Sequence, residues 1–181
     1  MLVKTFGSAI QGIQALPITV EVYTGQGDKY FMVGLADNAI RESQQRIETA
    51  LREVGLHMPR KKVVVNLAPA DIRKEGSAYD LGIAMGILVS SEQVNPVINM
   101  EEWIIMGELS LDGEIRPVRG ALPIAMQAQQ SGFKGIVLPM ENAYEAAIVK
   151  GLDVYGVTHL NEVISWAEGT RGTPPVQFLT S

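Results

Sequence analysis

The chain has 181 residues, a formal net charge of −5 and no cysteine. That length suits one domain burying roughly 70% of its unfolded surface, so folding requires neither a disulfide nor a metal. The acidic balance argues against a domain that wraps nucleic acid with its whole surface, and the missing cysteines fit a reducing compartment.

Residues 2–34 read as strands. Ile18, Val20 and Val22 alternate with Thr19 and Glu21, the pattern of a strand with one buried face. A turn over Thr24–Asp28 followed by Tyr30–Val33 predicts a hairpin between these two runs. Gly25-x-Gly27 lacks the third glycine of a phosphate loop, since position 30 is Tyr, and reads as that turn. Asp37 or Asn38 is placed to cap a helix. Its apolar stripe runs through Ile40, Ser43, Ile47, Ala50, Leu51 and Val54, and Gly55 suits its exit.

Arg60, Lys61 and Lys62 precede a strand over Val63–Asn66. They are either a solvated strand start or a contact for an anion or nucleic acid. The strand runs into Asn66–Asp80, where charges, a glycine and a hydroxyl lie between a strand and a helix, the place where open α/β folds often carry their chemistry. Asp71, Glu75 and Asp80 crowd this loop. As a general acid–base pair they need burial that raises one pKa; helix capping by Asp80, or pairing with Arg73 and Lys74, accounts for them more simply.

Tyr79–Ser90 reads as a buried, nearly all-apolar helix. Leu81–Val89, the longest apolar run, is too short to span a bilayer, and no secretory signal is visible, so a cytoplasmic protein without a membrane partner is expected. Trp103–Leu109 predicts a strand and Leu111–Glu114 a tight hairpin around Asp112-Gly113. A helix over Gly120–Ser131 follows, then a strand over Gly135–Leu138 and a helix over Asn142–Val149 capped by Asn142. Val154–Val157 is a strand and Leu160–Trp166 the last helix. This order predicts an α/β fold of α+β two-layer type, a mixed sheet with helices packed on it. The domain spans 1–168, and 169–181, with Pro174-Pro175, has linker composition.

Metal chemistry is not expected: His57 and His159 lie far apart and no H-E-x-x-H occurs. Neither His sits in a triad setting. No G-x-x-x-x-G-K-[ST] is present, so the chain by itself carries no P-loop.

Two blocks, Val33–Ser43 (Val-Gly-Leu-Ala-Asp-Asn-Ala-Ile-Arg-Glu-Ser) and Asn66–Ser77 (Asn-Leu-Ala-Pro-Ala-Asp-Ile-Arg-Lys-Glu-Gly-Ser), resemble the N-terminal domain of the ComM/YifB family, also described as Mg-chelatase-like. Gly107–Gly120 and Leu138–Ala147 match it as well. The resemblance implies a Lon proteolytic-domain-like fold, similar also to the C-terminal domain of RadA. It further implies a parent protein with an AAA+ ATPase module that uses ATP and Mg²⁺, assembles as a hexamer and acts on DNA as a branch-migration motor in natural transformation. The chain is then expected to be a fragment ending in a linker toward that module, with no cofactor of its own.

Lon-type proteases use a Ser–Lys dyad in which a neutral Lys takes the Ser proton. The Lon pattern Lys-Asp-Gly-Pro-Ser-Ala-Gly falls in register with Lys74–Asp80, which puts Ala78 at the nucleophile position. In Lon the Lys follows Gly-Gly-Leu, and Gly-Gly-Leu-Lys falls on Arg119-Gly120-Ala121-Leu122 of this chain, so Leu122 takes the base position. Ser77 is one residue early, a rotation of about 100° at a helix start, and Lys134 lies past the helix. The resemblance thus implies a degenerate dyad and no catalytic residue. Two roles follow. One is an accessory domain that engages DNA or neighbouring subunits, with Arg60, Lys61, Lys62, Arg73 and Lys74 sharing one end of the sheet as the DNA contact. The other is a peptide- or protein-interaction module that uses the former groove around Ala78 and Leu122. A true hydrolase or chelatase is the third reading.

Overall fold

The computed structural model describes residues 1–169 and the backbone of 176–178. Two long strands, β1 (Leu2–Gln11) and β2 (Gln14–Gly25), form an antiparallel hairpin through their full length. Then come β3 (Tyr30–Val33), α1 (Asn38–Arg41), α2 (Ser43–Glu53) and β4 (Lys62–Ala68). The central helix α3 (Asp80–Ser90) leads to β5 (Trp103–Ile105) and the small hairpin β6 (Glu108–Leu109) and β7 (Ile115–Arg116). Last are α4 (Ala121–Gln130), β8 (Gly135–Pro139), α5 (Met140–Ala146), β9 (Asp153–Val157), α6 (Leu160–Glu168) and β10 (Val176–Phe178).

Among the described residues the main sheet has eight strands in the order β10-β9-β8-β5-β1-β2-β4-β3. β5, β8 and β9 run parallel to β1 and to one another, whereas β2 is antiparallel to both β1 and β4. The mixed sheet expected from the sequence is therefore present, but β3 is not the hairpin partner of β2. It lies parallel to β4 at the sheet edge, Val33 opposite Asn66. β2 already has β1 on one side and β4 on the other, which leaves β3 the far side of β4.

All eleven residues of α3 are buried, the consequence of a helix with no polar face. Thr5 hydrogen-bonds Gly82 of α3 at 3.0 Å, while Ser8, of opposite parity on β1, reaches Gln127 of α4 at 3.0 Å. Helices α3 and α4 therefore cover opposite faces of the sheet centre. Toward β3 one face stays open, exposing Tyr23, Phe31 and Val33. The helix expected from Ile40 to Val54 is broken at Glu42 into α1 and α2, yet Ile40, Ser43, Ile47, Ala50 and Leu51 are the buried stripe. The helix after β8 starts at Met140, and Asn142 is not its cap. Gly169 ends α6 in a left-handed conformation at φ 64°. The remainder of the proposed linker lies outside the described residues except for Val176–Phe178, which pairs antiparallel with β9. Among the described residues no helix is long and apolar enough to cross a membrane.

Candidate functional site: a groove over the β4–α3 loop

The loop from Pro69 to Tyr79 is tied down by its backbone. Lys74 N–H donates to Leu35 O at 3.0 Å and Asp37 N–H to Lys74 O at 3.1 Å. The Asp37 carboxylate accepts from Ile40 N at 2.9 Å, capping α1, and from Gly76 N at 3.0 Å. Gly34 permits the approach. Its φ is 102°, and a Cβ there would lie 2.2 Å from Leu67 O. The Val33–Ser43 and Asn66–Ser77 blocks are thus two halves of one structure.

The Lys74 side chain is fully buried. Its ammonium donates to Gly34 O at 2.8 Å and to Pro69 O, and burial pushes its pKa below the usual lysine value against the pull of Asp71. This corrects the expectation that Lys74 touches DNA: a lysine with no exposed surface has no phosphate to meet. The shared sheet end is corrected too. Arg60, Lys61 and Lys62 are exposed at the start of β4, while Arg73 is exposed beyond its far end. Lys62 is the first of the seven residues of β4, so the rest of the strand, roughly 20 Å, lies between the cluster and Arg73.

Asp80 has a different partner from those expected. Its buried carboxylate accepts two bonds from Arg46 of α2, Nε at 2.7 Å and Nη2 at 2.8 Å, and a third from Leu109 N at 3.1 Å. Arg46 also donates to Ala39 O at 2.7 Å. Burial raises the Asp80 pKa, and the guanidinium and the Leu109 amide pull it back. The pairing raises the already high pKa of Arg46, so the guanidinium stays charged. Arg73 instead pairs with Glu75 at 3.3 Å, both side chains mostly exposed.

Above this frame lies a groove of about 690 Å³. One wall is the end of β1, Ser8–Gln11; the other is Pro117–Arg119 with Ile124 of α4; Ala78, Tyr79 and Met106 line it between them. Ser77 lines it and donates to Glu108, which is 3.6 Å from Arg116. Ala78 presents a methyl group to the groove. Leu122 is half-buried in the first turn of α4 and is not part of the lining, and among the described residues no lysine lines the groove. Gly107 N–H bonds Ala78 O at 2.8 Å, and Asn142 holds Val118 by two bonds, both 2.9 Å. The third and fourth sequence blocks therefore close on the same groove.

His159 caps α6, accepting from Asn161 N at 3.1 Å in a capping box with Glu162. Among the described residues no group of three or more His, Asp or Glu side chains could hold a metal ion. The sequence reading missed Arg46, Glu108 and the β1 edge. Arg46 had a signal, its place beside the buried stripe of α2; the other two are brought in only by the sheet order.

The architecture is a mixed α/β sheet with helices packed on it, of Lon proteolytic-domain type: the chain is 30% identical to Lon protease 2 of Bacillus subtilis over 125 residues, 67% of this chain and 22% of that protein. Residues 18–142 match the family model for subunit ChlI of Mg-chelatase, and the chain belongs to this Mg-chelatase-like family. It is 39% identical to the uncharacterised protein YifB of Escherichia coli K12 over 162 residues, 89% of this chain and 32% of YifB. It is 34% identical to competence protein ComM of Haemophilus influenzae over 174 residues, 96% of this chain and 34% of ComM. The chain spans about a third of the length of these relatives.

Proposed function

We propose that this domain is a non-catalytic accessory part of an AAA+ ATPase of Mg-chelatase type, working on DNA in natural transformation or recombination and assembling with further copies. The observation that carries the reading is the groove itself, built by all four family blocks yet lined by the Ala78 methyl and by no lysine. The name of the Haemophilus relative, a competence protein, supports the DNA setting. ATP and Mg²⁺ belong in this reading to the motor module; no residue of this chain is assigned to them. The exposed cations Arg60, Lys61 and Lys62 are the proposed DNA contact, joined by Arg52, which lines the same surface hollow as Arg60 and Lys61. Arg73 stands apart at the far end of β4.

Titration of the domain with double- and single-stranded DNA at two salt concentrations tests this. Weak binding with steep salt dependence is expected, and each cation removed should lower the slope of log K against log salt by about 0.7–0.9. Tight binding unchanged by Lys61→Glu with Lys62→Glu would refute the contact.

The second reading, a peptide-interaction module, is favoured by a specific feature: the groove has apolar side chains at its base, Ala78, Tyr79 and Met106, and charged residues at its rim.

A further inference from the structure

The hairpin register decides which way the β1 backbone points. Met1 and Thr24 exchange both of their backbone hydrogen bonds, at 2.6 and 3.1 Å. In an antiparallel ladder such pairs alternate with pairs that turn their N–H and C=O outward. Odd residues of β1 therefore bond β2, and Phe6, Ser8 and Ile10 face the other way. On that side β5 pairs with β1 only at Phe6, opposite Ile104. Beyond Phe6 the two strands part: Met106 N–H bonds Val137 O and Gly107 N–H bonds Ala78 O. The outward edge of Ser8–Gln11 is left facing the groove. On it Ser8 O accepts from the Tyr79 hydroxyl at 3.2 Å. Ile10 has no backbone partner on this side among the described residues.

We propose that this edge takes an extended peptide by strand addition, with apolar side chains set against Ala78 and Met106 and an acidic residue at Arg119. The inference rests on the groove being a recognition site and names its ligand. An unpaired strand edge is satisfied by another extended backbone. Its place inside the sheet, walled by α4 and the Pro117–Arg119 segment, admits a single chain but not the sheet of a second folded copy. The volume of about 690 Å³ is in the range of a bound small ligand, about 300–1,000 Å³, which suits a short run of residues. Charge selects the flank. Arg73 is paired with Glu75 and Glu108 with Arg116, leaving Arg119 as the rim cation without an ion-pair partner among the described residues.

The probe is a fluorescein-labelled hexapeptide of alternating valine and threonine ending in aspartate. Its twins carry backbone N-methyl groups at alternate residues, or lysine in place of the aspartate. Fluorescence anisotropy is expected to give saturable binding of the first peptide, lost in the N-methylated twin. Ile10→Pro removes an outward N–H and no bond to β2, so it is expected to weaken binding about tenfold, well beyond the effect of Ile10→Ala, which trims the wall but keeps that N–H. Arg119→Glu is expected to reverse the preference toward the lysine twin. Circular dichroism establishes that each variant is folded; were Ile10→Pro unfolded, the N-methylated peptide decides with the unaltered chain. Saturable binding indifferent to N-methylation overturns strand addition but leaves groove recognition standing. No binding of any peptide at about 1 mM, the weak end of the specific range, overturns both.

Discussion

Arg46 and Asp80 form the contact on which the site's frame depends. Asp80 opens α3 with its carboxylate buried, and the Arg46 side chain is 21% exposed. Removing one member of such a pair strands the other charge, at about 3–5 kcal/mol. Arg46→Ala is expected to destabilise the domain by that order in urea unfolding at neutral pH. The loss should depend on pH. Without the guanidinium, the folded-state pKa of Asp80 lies further above the value of about 3.9 for an unfolded Asp. Between those two values the folded chain holds a proton that the unfolded chain has released, so stability falls as pH rises through the window. The deficit of the variant should therefore be full at neutral pH and shrink as pH drops toward about 4. A deficit that is constant with pH would mean that Asp80 is not the group left behind. Lys74 carries the matching lesson about legibility. Its place in a basic loop suggested a surface cation, and only the fold shows the side chain turned inward onto Gly34 and Pro69. Residue type gives charge but not direction.

At the scale of elements, α3 was legible because every position in Leu81–Val89 is apolar or glycine, which leaves burial as its only stable environment. The stripe of α2, the β6–β7 hairpin at Asp112-Gly113 and the β8–α5–β9–α6 alternation were legible for the same kind of local reason. The partner of β3 was not, because a parallel pairing with β4 across the intervening helices α1 and α2 leaves no turn signature. The free edge of β1 was equally hidden, since it depends on where β5 stops. Two elements make a spectroscopic prediction. The Tyr79 side chain, just ahead of α3, is 3% exposed, and the Tyr30 hydroxyl on β3 is buried. Burial raises both phenol pKa values above the ordinary 10.0. For such an acid the folded state keeps a proton that the unfolded state loses, so stability is intact below about pH 10 and falls above it. In an alkaline absorbance titration, two of the five tyrosines should ionise only as the helical circular dichroism signal is lost. Reversible ionisation of all five with that signal intact would contradict their burial.

For the whole molecule, the four sequence blocks that resemble the ComM/YifB family fold onto one groove. Asp37 ties the first two, the Gly107–Ala78 bond brings in the third, and Asn142 on Val118 brings in the fourth. The fold is of Lon proteolytic-domain type, and in the proposed reading Ala78 and Leu122 stand where the Lon resemblance implies nucleophile and base. Ser77, one of the hydroxyls lining the groove, is held by Glu108, and the Lys74 ammonium is engaged by the backbone carbonyls of Gly34 and Pro69. A serine needs a base to take its proton and a position facing the scissile carbonyl. The most direct measurement is a digestion assay with casein and a mixed peptide library, comparing the unaltered domain with Ser77→Ala. No turnover by either protein is the predicted result, whereas cleavage by the unaltered domain that Ser77→Ala abolishes would contradict a non-catalytic groove.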